Sequence, residues 1–330
     1  MRSLFVAALV ASPCFAASQG DWFASLYTGE GTELRADERV FTLFAIFNAT
    51  GFDVGPVTRK DPVPKFVYHP VRQAVRARVI GGDADVKRAA EEFFDKHPAA
   101  LRRYLAWSVS AGQPPFKDAP KGKELADLKG FEAVLAKAWA SWKLDEAMGT
   151  VQGDYRKVLK SYLAGLDAPL VKAKAMLKVP ENGPQTLLVA NLLDVQDSAR
   201  GVQGDGEVVL VVGPADKPNV EGALREYARV VLEPAVNAKV GGWSGGAAML
   251  KEAQLAGCPD QTVAEYAGSL LGEAVALRAM DASDAAYEAA AARGYFGMKD
   301  LARAFDDGKP VETWLLDALQ KAEARRPAKK

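Results

Sequence analysis

Two arginines flank a glutamate at helical spacing, at Arg225, Glu226 and Arg229. In a helix, residues i and i+4 lie on the same face, and neutral histidines at those positions can donate to a zinc ion. The glutamate beside the first of them would then take a proton from the metal-bound water. Here both ligand positions carry guanidinium, which has no lone pair to donate and stays protonated in proteins. The sequence therefore predicts that zinc is lost, that no metal is bound, and that Glu226 is a vestigial general base.

A second carboxylate for this site comes from a later predicted helix, at Glu273. A zinc ion with two neutral histidines and two carboxylates sums to zero charge, and so do two arginines with the same two carboxylates. We therefore expect Arg225 and Arg229 to replace the metal as a salt-bridged plug, with Glu273 as their main partner. The alternative is that R-E-x-x-R is an ordinary solvated helix face, because charged residues at this spacing are common there.

The rest of the chain offers few groups for another kind of catalysis. His69 and His97 are its two histidines, and both are expected to cap or pack locally, away from the motif. There is no G-x-S-x-G sequence to indicate a serine nucleophile. Cys258 lies in a loop-like break and is expected to be an inert thiol. An active hydrolase with a rearranged site remains an alternative for which the sequence supplies no nucleophile.

The elements that must position the motif are predicted to be mostly helical, with a small sheet. Asn219 can cap the motif helix, which then runs to about Lys239, and the helix that carries Glu273 is predicted over 260–281. Two apolar runs, 186–193 and 207–213, predict an antiparallel strand pair with a long polar connection. The apolar run over 40–50 could be a buried helix or a strand, and Asp37 as a cap and Gly51 as a stop favour a helix. Further helices are predicted near 71–79, 84–111 with a break at Pro98, 123–147, 150–164, 168–177, 247–256, 283–293, 297–306 and 310–325.

The N-terminus has the layout of a secretory signal. A basic start at Met1-Arg2 precedes an apolar run over 4–15 and the small residues Ala16-Ala17-Ser18. Cleavage after Ala16 predicts a signal peptide over 1–16 and an exported protein, periplasmic or extracellular. A lipid anchor at Cys14 and a buried first helix are the alternatives, and Pro13 fits the lipid signal poorly.

The bulk composition is that of an ordinary globular chain. Of the 330 residues, 49% are hydrophobic, and Lys plus Arg and Asp plus Glu are both 42. The net charge of zero supplies no global field that would favour nucleic acid. After signal cleavage, no segment is apolar and long enough to predict a membrane span.

Several short segments together resemble a bacterial family of predicted secreted zinc peptidases, within the gluzincin group, whose function is unknown. These segments are 37–51, His97-Pro98-Ala99-Ala100, 207–214, the motif helix with Leu232-Glu233-Pro234-Ala235-Val236, and Glu273 with Arg278. The resemblance implies an α+β, zincin-like fold in which a small antiparallel sheet packs beside the motif helix. It places Arg225 and Arg229 at the two histidine ligands, Glu226 at the general base and Glu273 at the third ligand.

The resemblance also implies a division of the chain and a class of function. A helical N-terminal region over 17–180 would precede a degenerate metallopeptidase-like region over 181–330. We expect a catalytically inactive, peptidase-like protein of the cell envelope that binds a peptide or protein partner in the remnant cleft. Either 207–213 or 186–193 could be an edge strand that holds an extended peptide. A helical envelope protein with a structural role and no relation to peptidases is the further alternative.

Overall fold

The computed structural model describes residues 25–54, 67–305 and 309–325. The predicted signal peptide and Cys14 lie outside the described residues. Helices make up most of the described chain, and a five-stranded sheet accompanies them, so the prediction of a mostly helical α+β fold is confirmed. No helix within the described ranges is long and apolar enough to cross a membrane.

The sheet is mixed, and the prediction of an antiparallel sheet is wrong. Its strands lie in the order β1-β2-β3-β5-β4, with β2, β3 and β5 parallel and with β1 and β4 antiparallel at the two edges. The strand bounds are Leu26–Tyr27 for β1, Glu33–Ala36 for β2, Gln185–Ala190 for β3, Ala199–Gln203 for β4 and Glu207–Val212 for β5.

The error arose in the connection between the two predicted strands. That connection was expected to be a loop, but it contains β4, which runs back along the sheet and lets β5 return parallel to β3. Asp205-Gly206 closes the β4–β5 hairpin with Gly206 at φ 79°, which is a turn signal that the sequence carries. Residues 208–212 are buried at every position, as in a strand that is covered on both faces of a sheet.

The N-terminal region supplies a set of helices, the edge strand β1 and the inner strand β2. Asp37 caps α1 by accepting from the N–H groups of Arg39 and Val40, and Gly51 ends it at φ 74°, as the sequence predicts. The predicted helix over 123–147 is divided into a 3₁₀ turn and two helices. The helices of this region are α1 (Glu38–Thr50), α2 (Pro70–Ile80), α3 (Ala84–Lys96), α4 (Leu101–Ser110), α5 (Phe131–Ser141), α6 (Leu144–Thr150), α7 (Gln152–Leu163) and α8 (Asp167–Met176).

The C-terminal region is built around two long helices that pack along each other. Asn219 caps the first of them, as predicted, and Pro234 lies inside it. A Thr262–Glu265 capping box starts the second. The helices are α9 (Val220–Lys239), α10 (Gly246–Leu255), α11 (Val263–Ala279), α12 (Asp284–Ala292), α13 (Met298–Ala304) and α14 (Val311–Glu323).

Candidate functional site

Helix α9 approaches β4 closely at Gly201. A Cβ atom at this position would lie 2.7 Å from the Glu226 carbonyl oxygen, so glycine is required for the contact. The same approach lets the Gly201 N–H donate to Oε2 of Glu226 at 3.0 Å. The motif glutamate is therefore anchored to the edge strand of the sheet.

Helix α11 approaches the other side of α9 through two glycines. A Cβ atom at Gly272 would lie 2.6 Å from the Arg225 carbonyl oxygen, and one at Gly268 would lie 3.3 Å from Cγ of Arg229. The two glycines are four residues apart and so lie on one face of α11. This close packing brings Glu273 within reach of the motif.

Glu273 is fully buried and bonds to two guanidiniums. Its Oε2 lies 3.5 Å from an Nη atom of Arg225, and its Oε1 accepts from Arg293, which follows α12. The structure thus brings together Arg225 and Glu273, as the charge count predicts. Sequence reasoning missed Arg293, because its contact depends on how α12 packs, and no local pattern signals that.

Arg229 pairs with a different carboxylate from the one expected. Its Nη and Nε atoms donate to Oε2 of Glu226 at 2.5 and 3.0 Å. The expectation that Glu273 would be the main partner of both arginines therefore applies to Arg225 alone. The reason is geometric, since Arg229 lies one turn further along α9, where its side chain passes Gly268 of α11.

These ion pairs leave Glu226 poorly placed to act as a base. Its Oε2 already accepts from the Gly201 N–H and from two nitrogens of Arg229, and its Oε1 lies 3.8 Å from Nε of Arg225. Protonation of this carboxylate would remove the negative charge on which these hydrogen bonds and ion pairs depend. The arrangement holds Glu226 as a structural ion-pair partner.

The residues at the four motif positions do not fit a zinc ion. Arg225 and Arg229 carry no lone pair, which leaves the two glutamates, and both of these accept hydrogen bonds from guanidinium. Across the part of the chain that the structure describes, no group of three or more His, Cys, Asp or Glu side chains is arranged to hold a metal.

The histidines and the cysteine lie in structural settings. His69 caps α2 by accepting from the Val71 N–H, and His97 ends α3 while stacking on Phe93. Cys258 is buried with Sγ 3.1 Å from a carboxylate oxygen of Asp260, and burial raises the pKa of its thiol to about 11. Such a thiol has little of the thiolate form, which is the nucleophile, at neutral pH.

A cavity of about 470 Å³ opens beside the ion pairs. Five arginines line it, together with the carboxylates of Glu226 and Asp260. The arginines are Arg102 of α4, Arg200 of β4, Arg225 and Arg229 of α9, and Arg293 after α12. The lining is therefore predominantly cationic.

The arginines of the cavity do not all have the same electrostatic surroundings. Burial disfavours the charge of Arg225, but the carboxylates of Glu226 and Glu273 outweigh it and raise the pKa of Arg225. Burial, followed by the charge of Arg229, lowers the pKa of Arg102. The guanidiniums of Arg102 and Arg229 thus repel each other on the side of the cavity near α4.

The edge strand beside this cavity is β4, and the expectation of an edge at 186–193 or 207–213 is wrong. Those runs form β3 and β5, which are paired on both sides. At the free edge of β4, the Gly201 N–H donates to Glu226 and its carbonyl accepts from Nε of Arg102 at 2.8 Å. The middle of the edge is therefore already hydrogen-bonded to side chains, and strand addition there would have to displace Arg102.

Comparisons of this chain with protein-family models, with curated proteins and with solved structures found no match.

Proposed function

We propose that the protein is a non-catalytic, peptidase-like binding protein of the cell envelope. In this proposal an ion-pair network stands in a zincin-like frame where a peptidase would hold zinc, and the cleft beside it binds an extended peptide or protein segment. The observation that carries the proposal is the meeting of Arg225 with the buried Glu273 at 3.5 Å, next to a Glu226 held by Arg229. Arg225 and Arg229 supply the two positive charges that a zinc ion would carry, without its Lewis acidity, and Arg293 adds a further cation at Glu273.

The shape of the surface beside the network supports binding of an extended ligand. The arginine-lined cavity adjoins a small cavity of about 70 Å³ and a larger one of about 830 Å³, and Arg102 lines all three. In this proposal the three neighbouring cavities are parts of one groove beside β4, and the larger volumes are in the range of ligand pockets in proteins.

Binding without cleavage is tested with the purified mature chain, 17–330, and a pool of random octapeptides labelled with fluorescein at the N-terminus. We expect a rise in fluorescence anisotropy on binding, no cleavage products by mass spectrometry, and no stoichiometric zinc by elemental analysis. Tight stoichiometric zinc together with peptide cleavage would overturn the proposal. Absence of any peptide binding would also overturn it and would favour a purely structural role.

The peptidase-like frame is tested separately by restoring histidines. The double substitution Arg225→His and Arg229→His supplies two imidazoles at i and i+4 beside Glu273, and we expect it to bind one zinc ion per chain. A matched control adds Glu273→Gln to the pair and removes the carboxylate expected to complete the site, so we expect much weaker zinc binding. Equal zinc binding by the two variants would show that Glu273 does not stand at a ligand position.

A further inference from the structure

We infer that the arginine-lined cavity binds the free C-terminal carboxylate of a peptide, an inference that rests on the proposed function and names the group that the cleft recognises. The cavity is lined by five guanidiniums and two carboxylates, so its lining carries an excess of three positive charges when all are ionised. Burial also raises the pKa of Asp260, one of the two carboxylates, which disfavours its negative charge.

Two of the carboxylates that pair with these arginines, Glu273 and Asp194, do not line the cavity, whereas Glu226, the partner of Arg229, does. The side chains of Glu273 and Asp194 are 0% and 2% exposed, while those of Arg225 and Arg293 are 26% and 53% exposed. Asp194 fixes Arg200 through two hydrogen bonds, at 2.7 and 3.0 Å. The buried acids thus orient Arg200, Arg225 and Arg293, each of which keeps part of its side chain exposed.

Arg225 retains most of its capacity to donate hydrogen bonds. A guanidinium has five N–H donors, and the bond from Arg225 to Glu273 is long, at 3.5 Å. An arriving carboxylate can accept two parallel hydrogen bonds from such a group. It would also offset the repulsion between Arg102 and Arg229, which now lowers the pKa of Arg102 after the effect of burial.

The charge of the neighbouring cavity indicates which end of a ligand enters the arginines. The 830 Å³ cavity has three basic residues in its lining and five acidic ones, so that end of the groove is anionic. The basic residues are Arg102, Arg103 and Lys121, and the acidic residues are Asp118, Glu124, Asp205, Glu233 and Glu265. A ligand with negative charge along its whole length would be repelled there. A peptide with a single carboxylate at its end can place that carboxylate among the arginines while the rest of its chain lies in the anionic cavity.

The test compares two pools of random octapeptides, both labelled with fluorescein at the N-terminus, one ending in a free carboxylate and the other in an amide. We expect the wild-type mature chain to bind the carboxylate pool about tenfold more tightly, which corresponds to about 1.4 kcal/mol.

Arg293→Gln, at a half-exposed side chain, should remove most of this preference. Arg102→Gln removes the arginine that α4 contributes to the same cavity, and its preference for the carboxylate pool is measured in the same way. Arg78→Gln, which removes an ion-paired arginine of α2 outside the groove, should leave the preference unchanged. Thermal melts of each variant verify folding.

The outcomes separate this inference from the proposed function. Equal binding of the carboxylate and amide pools would overturn the inference while leaving peptide binding intact. Failure of both pools to bind would overturn the proposed function and the inference with it. Inorganic phosphate and acetate are titrated as competitors, and displacement of the carboxylate pool by acetate supports the inference. A site that binds inorganic phosphate but neither pool is a small-anion site, which also overturns the inference.

Discussion

At the scale of single residues, Glu273 has the most demanding position in the site. Its side chain is fully buried, and both of its oxygens bond to guanidiniums, one of Arg225 and one of Arg293. The charge of a buried carboxylate is tolerable only because these cations compensate it. The charge of Arg225 depends on Glu273 in the same way, because the side chain of Arg225 is largely enclosed by protein.

Replacing Glu273 with Gln should therefore destabilise the protein. The substitution keeps the shape but leaves the charge of Arg225 poorly compensated, and we expect a loss of about 3 kcal/mol in the free energy of unfolding. Urea denaturation monitored by circular dichroism measures the change. Glu288→Gln is the matched control, because Glu288 is exposed on α12, and it should shift the free energy by less than about 0.5 kcal/mol. Equal stability of the wild type and Glu273→Gln would refute the ion-pair plug.

At the scale of elements, the site depends on how closely α9 packs between β4 and α11. Gly201 permits the contact with β4, and Gly272 permits the contact with α11. These glycines allow the helix backbone to approach each neighbour without an intervening side chain. The hydrogen bond from the Gly201 N–H to Glu226 and the ion pair of Glu273 with Arg225 form across those two contacts, so the glycines position the network.

Gly272→Ala should weaken the packing of α11 on α9. Its Cβ atom would lie 2.6 Å from the Arg225 carbonyl oxygen, and backbone must shift to accommodate it, so we expect a loss of about 1–3 kcal/mol. Gly153→Ala in α7 is the control, since a Cβ atom there meets nothing within 4 Å and alanine favours the helix. Thermal and urea unfolding compare the two variants. A Gly272→Ala protein as stable as Gly153→Ala would contradict the close approach.

At the scale of the whole molecule, the sheet joins the two regions that the sequence divides at 180/181. Strand β2, from the N-terminal region, pairs in parallel register with β3, from Glu33 opposite Leu187 to Ala36 opposite Ala190. Residues 187–190 of β3 are all buried. Without β2, a long apolar strand would become a free edge of the sheet.

The region 181–330 expressed alone should not fold cooperatively. It would expose the edge of β3 and the apolar surface beneath the missing helices, and we expect aggregation or a non-cooperative thermal melt. The mature chain, 17–330, is the control and should melt in one cooperative transition. Size-exclusion chromatography and near-UV circular dichroism distinguish the outcomes. A monomeric, cooperatively folding 181–330 fragment would show that this region is an independent domain.

Local signals account for the parts of the fold that could be predicted. Asp37, Asn219 and Thr262 cap their helices with side-chain oxygens, and Gly51 ends α1 in the left-handed conformation. Each of these interactions spans only a few residues, so the pattern of residue types is sufficient to indicate it. Apolar residues at helical spacing indicate most of the other helices in the same local way, although the predicted helix over 123–147 is divided in the structure.

Long-range contacts determine the parts of the fold that could not be predicted from the sequence. An apolar run shows that a segment is buried, but it does not show which strand lies beside it, so β3 and β5 were paired with the wrong orientation. The short β2 and β4 have few residues in which to show a period. In the site, spacing along α9 placed Arg225 and Arg229 on one face but could not assign their partners.

The sequence by itself determined the chemical content of the site, because guanidinium at 225 and 229 cannot donate to a metal in any fold. Tertiary structure alone decided how those charges are arranged. The packing of α11 on α9 brought Glu273 to Arg225, the end of α12 brought Arg293 to Glu273, and the return of β4 placed Gly201 against Glu226. The physical reason is that residue type fixes charge and donor capacity, whereas pairing depends on distances between segments far apart in the chain.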